Sequence, residues 1–176
     1  MDLDGVLVNW HKGACHALGV PYPHEFVFQR DWICSVSGMP IGTVLTKLDS
    51  TPDFWSKLEP TLTAANLVRY LDTNFPDWGI LTSATHNSAS WAGKAEWVKT
   101  HLGTKGLHRL TICCGNKARF VSPSALLIDD THKIVRDWLN GGGLAYHWIE
   151  YSDDQSALLQ RQFESLTQYL DTFREN

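Results

Sequence analysis

The chain has 176 residues, 43% of them hydrophobic and 19% charged, which suits one globular domain with a small inserted lobe. A formal net charge of −4 excludes the basic surface that wraps a polynucleotide, so we expect no polynucleotide partner. No run reaches the roughly 18 apolar residues of a membrane helix, and the four cysteines contain no C-x-x-C pair. We therefore expect no membrane partner and a cytoplasmic protein with reduced thiols.

The chain opens with an acidic motif, DLDGVL, at residues 2–7. Residues two apart in an extended segment point to the same side, so Asp2 and Asp4 can face one site while Leu3 enters the core. Gly5 permits a sharp bend and a close approach to a ligand. Two neighbouring carboxylates repel each other, which indicates a bound cation, a shared proton or, as the alternative, an acidic terminus exposed to water.

Residues 11–75 show helical patterns and no clear strand, which predicts a helical cap inserted after the first strand. The clearest of these helices carries an apolar stripe at Leu62, Ala65, Val68, Leu71 and Phe75. The rings of Trp10, Phe54 and Trp55 fall where they can reach the mouth of such a cap, and aromatic faces suit a nucleobase. Each ring is also suited to the core of the cap itself.

The second half alternates short apolar runs with helical patterns, and the runs lie at 78–81, 110–113, 126–128 and 144–149. Such strands indicate a parallel sheet covered by helices on both faces. The predicted fold class is therefore α/β, with a Rossmann-like parallel sheet and a small helical cap. We assign residues 1–10 and 76–176 to the core and residues 11–75 to the cap.

Sequence signals predict where two helices of the second half end or begin. One carries the stripe Trp91, Ala95, Val98 and Leu102 and stops at Gly103. The last helix is predicted to begin at a capping box formed by Ser152 and Gln155, and it carries the stripe Leu159, Phe163, Leu166, Leu170 and Phe173. We expect this last helix to be structural.

Polar side chains follow two of the predicted strands. Asp129 and Asp130 come directly after the strand at 126–128, at the end where open parallel sheets bind ligands. Together with the first acidic motif they form an oxygen-ligand site suited to Mg²⁺, although capping of the next helix also explains one of them. Thr82 and Ser83 close another strand, where a hydroxyl and free backbone N–H groups are natural phosphate donors.

The ordered set of these motifs, with a lysine between the second and the last, resembles that of the haloacid dehalogenase superfamily. The motifs span nearly the whole chain. Within the superfamily the similarity is strongest to the 5′(3′)-deoxyribonucleotidases. Three stretches carry it: FWSKLEP at 54–60, KAEWV followed by HLG at 94–103, and LLIDD at 126–130. Residues 20–50 of the cap lack a close match, and only Met1 precedes the first aspartate of the motif.

The resemblance implies a role for each acidic residue. Asp2 is expected to attack phosphorus as a covalent nucleophile, and Asp4 to act as general acid and then general base. Mg²⁺ is expected to bind the Asp2 carboxylate, the Asp4 backbone carbonyl and the Asp129 carboxylate. Asp130 is expected to orient the site from beside the metal.

The resemblance also implies a set of phosphate-binding residues. Thr82, the Ser83 backbone and Lys94 are expected to hold the phosphoryl oxygens. Lys117 is the second candidate lysine, expected to contact the substrate or to form a salt bridge within the site. His86 stands where related nucleotidases often have a basic residue, and it is either a phosphate ligand or only a helix-start residue.

These roles predict a magnesium-dependent phosphatase for small phosphomonoesters, with pyrimidine (deoxy)nucleoside 5′-monophosphates as the expected substrates. The rings of Trp10, Phe54 and Trp55 would then contact the base. Two alternatives are a phosphatase for another small phosphate, such as a sugar phosphate or phosphoglycolate, and a phosphate- or metal-binding module without turnover. The sequence leaves formation of a homodimer open.

Overall fold

A computed structural model describes residues 1–29 and 31–173 and has a mixed α/β fold. Position 30 of the predicted cap and positions 174–176 of the predicted core lie outside the described residues. The helices are α1 (Trp10–Leu18), α2 (Trp32–Ser37), α3 (Ile41–Ser50), α4 (Ala64–Asn74), α5 (Ser88–His108), α6 (His132–Asn140) and α7 (Ser156–Asp171). The strands are β1 (Ile80–Ser83), β2 (Leu110–Cys113), β3 (Leu126–Asp129) and β4 (Leu144–His147). Short 3₁₀ helices occupy Phe54–Ser56, Lys117–Phe120 and Asp153–Gln155.

The strands form two parallel pairs, β1 with β2 and β3 with β4. In the first pair Ser83 lies opposite Cys113, and in the second pair Asp129 lies opposite His147. Each pair is connected through a helix, as a parallel arrangement requires. The structure confirms the predicted alternation of apolar strands and helices in the second half, and all four predicted strands are present.

The first three residues lie between the two strand pairs and bond to both. The Met1 carbonyl accepts a hydrogen bond from Leu81 N at 2.8 Å, and Asp2 N donates to the Ile128 carbonyl at 2.8 Å. Leu3 is buried in the core, as its alternation with the acidic residues predicts. This short segment therefore holds Asp2 between β1 and β3.

The buried face of α5 overlaps the predicted stripe at Val98 but is shifted away from Trp91 and toward Lys94 and Trp97. Trp91 is 37% exposed, whereas Lys94, Trp97 and Val98 are buried. Gly103 has a non-helical backbone (φ 66°, ψ −165°) and interrupts α5 where the sequence predicts an end. The apolar pattern does not predict this shift, because the buried face includes the charged Lys94.

Ser152 is the N-cap residue of the 3₁₀ helix Asp153–Gln155 that leads into α7, but its side chain does not form the predicted capping bond. Helix α7 begins at Ser156, and the Ser152 hydroxyl instead accepts a hydrogen bond from Phe26 N at 2.9 Å. The neighbouring backbone continues this contact, because Ser152 N donates to the Phe26 carbonyl and Phe28 N donates to the Glu150 carbonyl. The segment after β4 therefore binds the region predicted as cap.

One hydrophobic cluster joins the predicted cap to the predicted core. It includes Ala14, Ile33 and Val44 of the first helices together with Ile128 and Leu166 of the second half. The first three helices therefore share one hydrophobic cluster with residues of the second half. No helix among residues 1–29 and 31–173 is long and apolar enough to cross a membrane.

Gly93 of α5 marks the closest contact of this helix with the 3₁₀ helix at Phe54–Ser56. A Cβ atom at Gly93 would lie 2.5 Å from Trp55 Cβ and 3.2 Å from Ser56 N. Real Cβ atoms do not approach side chains this closely, so a glycine is required for the two segments to meet. The contact places Trp55 directly beside the turn of α5 that carries Lys94.

We predict that Gly93→Ala destabilises the protein by about 1–3 kcal/mol, because the added methyl group overpacks this contact. Gly42→Ala in α3 is the matched control, since a Cβ there meets no atom within 4 Å. The control should gain up to about 1 kcal/mol from helix propensity. Urea unfolding of both variants tests this, and a Gly93→Ala protein as stable as the control would contradict the packing described.

Candidate active site

Three carboxyl groups meet beside the carboxyl end of β3. One carboxylate oxygen from each of Asp2, Asp129 and Asp130 lies within 4.8 Å of the other two. Asp2 is only 6% exposed, and Asp129 is fully buried. Asp2 is carried by the segment between β1 and β3, while Asp129 ends β3 and Asp130 follows it. The fold thus brings together the two acidic motifs that lie more than a hundred residues apart in the sequence.

Lys117 is the cation of this cluster. Its Nζ lies 2.7 Å from Asp2 Oδ1 and 2.7 Å from Asp129 Oδ2, and its side chain is fully buried. Burial lowers the pKa of Lys117, but the two carboxylates outweigh burial and raise the pKa above its ordinary value. The lysine therefore stays charged and balances the two aspartates.

The carboxyl groups nevertheless outnumber this one cation. Burial, and then the Asp2 carboxylate, raise the pKa of Asp129 to about 6. Burial also raises the pKa of Asp130, and Asp2, Glu150 and Asp129 raise it further. Burial is the main cause of these raised pKa values and repulsion between the carboxylates adds to it, and a divalent cation would relieve that repulsion. The donors are all carboxylate oxygens, and these suit Mg²⁺.

Asp129 is oriented by both of its oxygens. Oδ1 accepts a hydrogen bond from Thr131 N at 2.9 Å, just before α6, and Oδ2 accepts from Lys117. The hydrogen bond from Thr131 N to Oδ1 is the kind of contact that the capping alternative predicts for Asp129. The residue at the N-cap position of α6 is nevertheless Thr131. Both roles are compatible in one side chain, because a carboxylate has lone pairs for several partners.

A second group of contacts joins the first acidic motif to β1 and α5. Lys94 Nζ donates a hydrogen bond to Asp4 Oδ2 and lies 3.4 Å from Thr82 Oγ1. Lys94 is 1% exposed and Thr82 is fully buried. Burial raises the pKa of Asp4, while the ammonium of Lys94 opposes that rise. Asp4 Oδ1 is buried and has no hydrogen-bond partner among the described residues.

Gly5 allows the first acidic motif to approach Asp130. Its φ is +73°, and a Cβ there would lie 2.7 Å from the Asp130 carboxylate and 3.0 Å from Glu150 Oε2. Both the backbone conformation and the lack of space therefore require glycine. This is the close approach that the sequence predicts at Gly5, although the neighbour here is a carboxylate of the protein.

Ser83 and His86 lie at the side of the site near β2. Ser83 Oγ contacts Cys113 Sγ at 3.7 Å and the Gly115 carbonyl at 3.4 Å. His86 is exposed, and its Nδ1 lies 3.3 Å from Cys114 Sγ. The described side-chain contacts of Ser83 and His86 therefore do not join them to the carboxylate cluster. Phosphate binding by the Ser83 backbone and by His86 stays a prediction.

The three predicted aromatic residues differ in their surroundings. Phe54 and Trp55 are buried, whereas Trp10 is half-buried. The Trp55 indole donates a hydrogen bond from Nε1 to Asp49 Oδ1 at 2.9 Å, and Lys94 Nζ lies 4.7 Å from its ring centroid. The described partners of Trp55 are thus residues of the protein, and contact of these rings with a base stays a prediction.

Sequence reasoning missed a buried pair beside the site. His11 Nδ1 lies 2.8 Å from Glu150 Oε2, and His11 Nε2 and Glu150 Oε1 have no hydrogen-bond partner among the described residues. Glu150 follows β4 closely, and an acidic residue just after a predicted strand is the same sequence pattern that identified Asp129 as a candidate. No local pattern distinguishes His11, because its contact with Glu150 spans 139 residues.

A scan against models of protein families gave no match, and a search of curated proteins found no similar sequence. Functional inference for this chain therefore depends on its own residues and geometry. Two features can indicate a function. One is the carboxylate cluster with Lys117, and the other is the chain of contacts from Asp4 through Lys94 to Thr82.

We predict that Mg²⁺ binds the carboxylate cluster and raises the thermal unfolding midpoint. At a concentration one hundred times its dissociation constant, a ligand specific for the folded state adds about 2.7 kcal/mol of stability. Asp129→Asn should lose this gain, because it removes a buried carboxylate of the cluster. Asp137→Asn is the control, since Asp137 pairs with Lys133 at 2.5 Å on an exposed face of α6. Equal Mg²⁺ shifts in both variants would contradict a metal site at Asp129.

Proposed function

We propose that this protein is a magnesium-dependent phosphomonoester hydrolase that acts through an aspartyl-phosphate on Asp2. The observation that carries the proposal is the convergence of two acidic motifs, two buried lysines and the Thr82 hydroxyl. Phosphate monoesters hydrolyse very slowly in water, and their enzymes work by positioning the phosphoryl group and neutralising its oxygens. The converging groups supply what both tasks need.

We also propose that the two strand pairs and residues 1–3 form one Rossmann-like sheet of the haloacid dehalogenase type. The backbone hydrogen bonds of Met1 and Asp2 to the flanking strands support this reading. The strand order would then be β2, β1, residues 1–3, β3 and β4. Ligands of such sheets bind where the strand order reverses, and here that position falls at Asp2.

The roles of Asp2 and Asp4 follow from their contacts. Leu3 N and Lys117 Nζ both contact Asp2 Oδ1, which leaves Oδ2 to attack phosphorus. As the new P–O bond forms, the bond to the ester oxygen breaks, and Asp4 donates a proton to that leaving oxygen. Asp4 then takes a proton from the water that hydrolyses the aspartyl-phosphate, and this step releases phosphate and restores Asp2.

The raised pKa of Asp4 suits this double role. A carboxyl group held in water-like surroundings would have lost its proton at neutral pH, and burial counters that loss. Asp4 Oδ1 has no partner among the described residues, so it is the oxygen that can carry the transferred proton. Lys94 bonds the other oxygen and keeps the carboxyl group in place.

The carboxylates of Asp2 and Asp129 and the backbone carbonyl of Asp4 would hold Mg²⁺, which when bound neutralises charge on the phosphoryl oxygens. Asp130 lies beside this set and would orient it. Thr82 and Lys94 would bind the phosphoryl oxygens, with Ser83 contributing its backbone N–H. Thr82 and Ser83 end β1, Asp129 ends β3 and Lys94 lies in α5, so little reorganisation of these groups is needed when substrate binds.

We propose (deoxy)nucleoside 5′-monophosphates, with pyrimidines preferred, as the substrates. Trp10 supports this, because it begins α1 directly after the first acidic motif and is only half-buried. An indole face stacks on planar bases. The buried positions of Phe54 and Trp55 leave Trp10 as the ring with free surface for such a contact.

We predict that Asp2→Asn loses essentially all phosphate release, because an amide cannot form the covalent intermediate. Asp4→Asn should lower kcat by about 10²- to 10⁴-fold through loss of general acid–base catalysis. Phosphate release in the presence of Mg²⁺ measures both, with Asp137→Asn as the control expected to retain full activity. Substantial turnover by Asp2→Asn would rule out the covalent route.

We predict that dUMP and dTMP are among the best substrates in a phosphate-release screen that also contains sugar phosphates and phosphoglycolate. Trp10→Ala should raise KM for the two nucleotides about tenfold, since stacking on a base contributes roughly 1–3 kcal/mol. The same variant should leave KM for phosphoglycolate unchanged. A screen in which both nucleotides rank lowest would instead favour a phosphatase for another small phosphate.

A further inference from the structure

Lys94 lies on the face of an indole ring that belongs to the region predicted as cap. Its Nζ is 4.7 Å from the centroid of Trp55, and the close contact at Gly93 sets the distance between this ring and α5. A cation over the face of tryptophan is attracted by the ring, and the attraction is stronger where water is excluded. The buried Lys94 meets that condition.

Asp49 fixes the orientation of this ring. Its Oδ1 accepts hydrogen bonds from Trp55 Nε1 at 2.9 Å and from Thr85 Oγ1 at 3.1 Å. Asp49 lies in α3, and Thr85 lies just after β1, which carries Thr82. One carboxylate oxygen therefore joins a helix, the indole and the loop that follows the proposed phosphate-binding strand.

A lysine has a flexible stem, so its ammonium is placed only where its surroundings restrict it. Asp4 holds Lys94 from one side and Thr82 contacts it from another. A phosphoryl group would compete with Asp4 for the ammonium, and this competition would leave Thr82 and the indole as the remaining fixed contacts of Lys94. Loss of the orientation of Trp55 would then allow Lys94 to move away from the phosphoryl oxygens.

We propose that Asp49 is a positioning residue that acts through Trp55 to hold Lys94 at the phosphoryl group. This inference rests on the proposed function for the role of Lys94, but the contacts on which it depends do not. Asp49 touches neither the carboxylate cluster nor Lys94 in any described contact. It acts by setting the ring that Lys94 packs against.

The chain contains a matched constellation far from the site. Trp78 Nε1 donates to Asp72 Oδ1 at 2.9 Å, and the guanidinium of Arg109 lies 4.5 Å from the centroid of the Trp78 ring. The same spacing along the chain separates the aspartate from its tryptophan in both cases. Ile80 pairs with Leu110, so this second group lies at the amino-terminal ends of β1 and β2, opposite the carboxylate cluster.

The experiment compares Asp49→Ala with Asp72→Ala in the presence of Mg²⁺. Asp49→Ala should lower kcat/KM for the best substrate of the screen by about 10- to 100-fold, the usual effect of a misplaced catalytic contact. Asp72→Ala should leave kcat/KM unchanged, and Asp49→Asn should restore most of it, because an amide oxygen still accepts both hydrogen bonds. An unchanged kcat/KM in Asp49→Ala would overturn the proposal.

A double-mutant cycle separates positioning from a general structural effect. In the Lys94→Met background Asp49→Ala should cause no further loss, because the group it positions is gone. An equal loss in both backgrounds would mean that Asp49 acts through the fold and not through Lys94. If the alanine variant is too unstable to assay, Asp49→Leu carries the same comparison, because leucine fills the space of the aspartate but accepts neither hydrogen bond.

A readout without turnover distinguishes failure of this inference from failure of the proposed function. In protein labelled with ¹³C-lysine, the ring current of Trp55 should shift the ε-methylene signal of Lys94, and Asp49→Ala should remove that shift. A retained shift in Asp49→Ala overturns the positioning role. If the shift is lost but the unmutated protein hydrolyses no phosphomonoester, the positioning stands and the proposed phosphatase activity is wrong.

Discussion

The burial of several carboxyl groups beside the carboxyl end of β3 is the constraint on which the site depends. An ionised carboxylate is costly to remove from water unless it is paired, and the pairing is worth little unless its geometry is good. Lys117 meets this requirement for Asp2 and Asp129 with two contacts of 2.7 Å. Among the described residues no lysine or arginine forms an ion pair with Asp130, and the divalent ion that we propose would supply positive charge there.

The rest of the fold keeps these charges buried and aligned. Residues 1–3 bond to both flanking strands, so the first acidic motif is held by the sheet and is not a charged tail exposed to water. Gly5 and Gly93 each remove a side chain where two segments must touch. The first contact brings the loop to Asp130, and the second brings Trp55 to the turn that carries Lys94. These two glycines therefore allow both the close packing of the segments and the approach of the charged groups.

The sequence predicted the strands and the acidic strand ends because both depend on local patterns. An apolar run followed by Asp129 and Asp130 is readable without knowledge of the fold. The burial of Lys94 on the inner face of α5 was not predicted, since apolar periodicity assumes that a charged residue faces solvent. Asp49 and the His11–Glu150 pair were also missed, because each depends on a side-chain contact that only the packed chain creates.

The two candidate lysines, of which the sequence favoured Lys94 and kept Lys117 as the second, have different surroundings. Lys117 is held by Asp2 and Asp129, so a phosphoryl group could use it only by breaking a buried ion pair. Lys94 faces one carboxylate, one hydroxyl and the indole of Trp55, and its contact with Thr82 is long at 3.4 Å. A phosphoryl oxygen placed beside Thr82 would improve the coordination of Lys94 and release Asp4 for proton transfer. The geometry thus favours Lys94 as the ligand of the phosphoryl group and Lys117 as the counterion of the carboxylates.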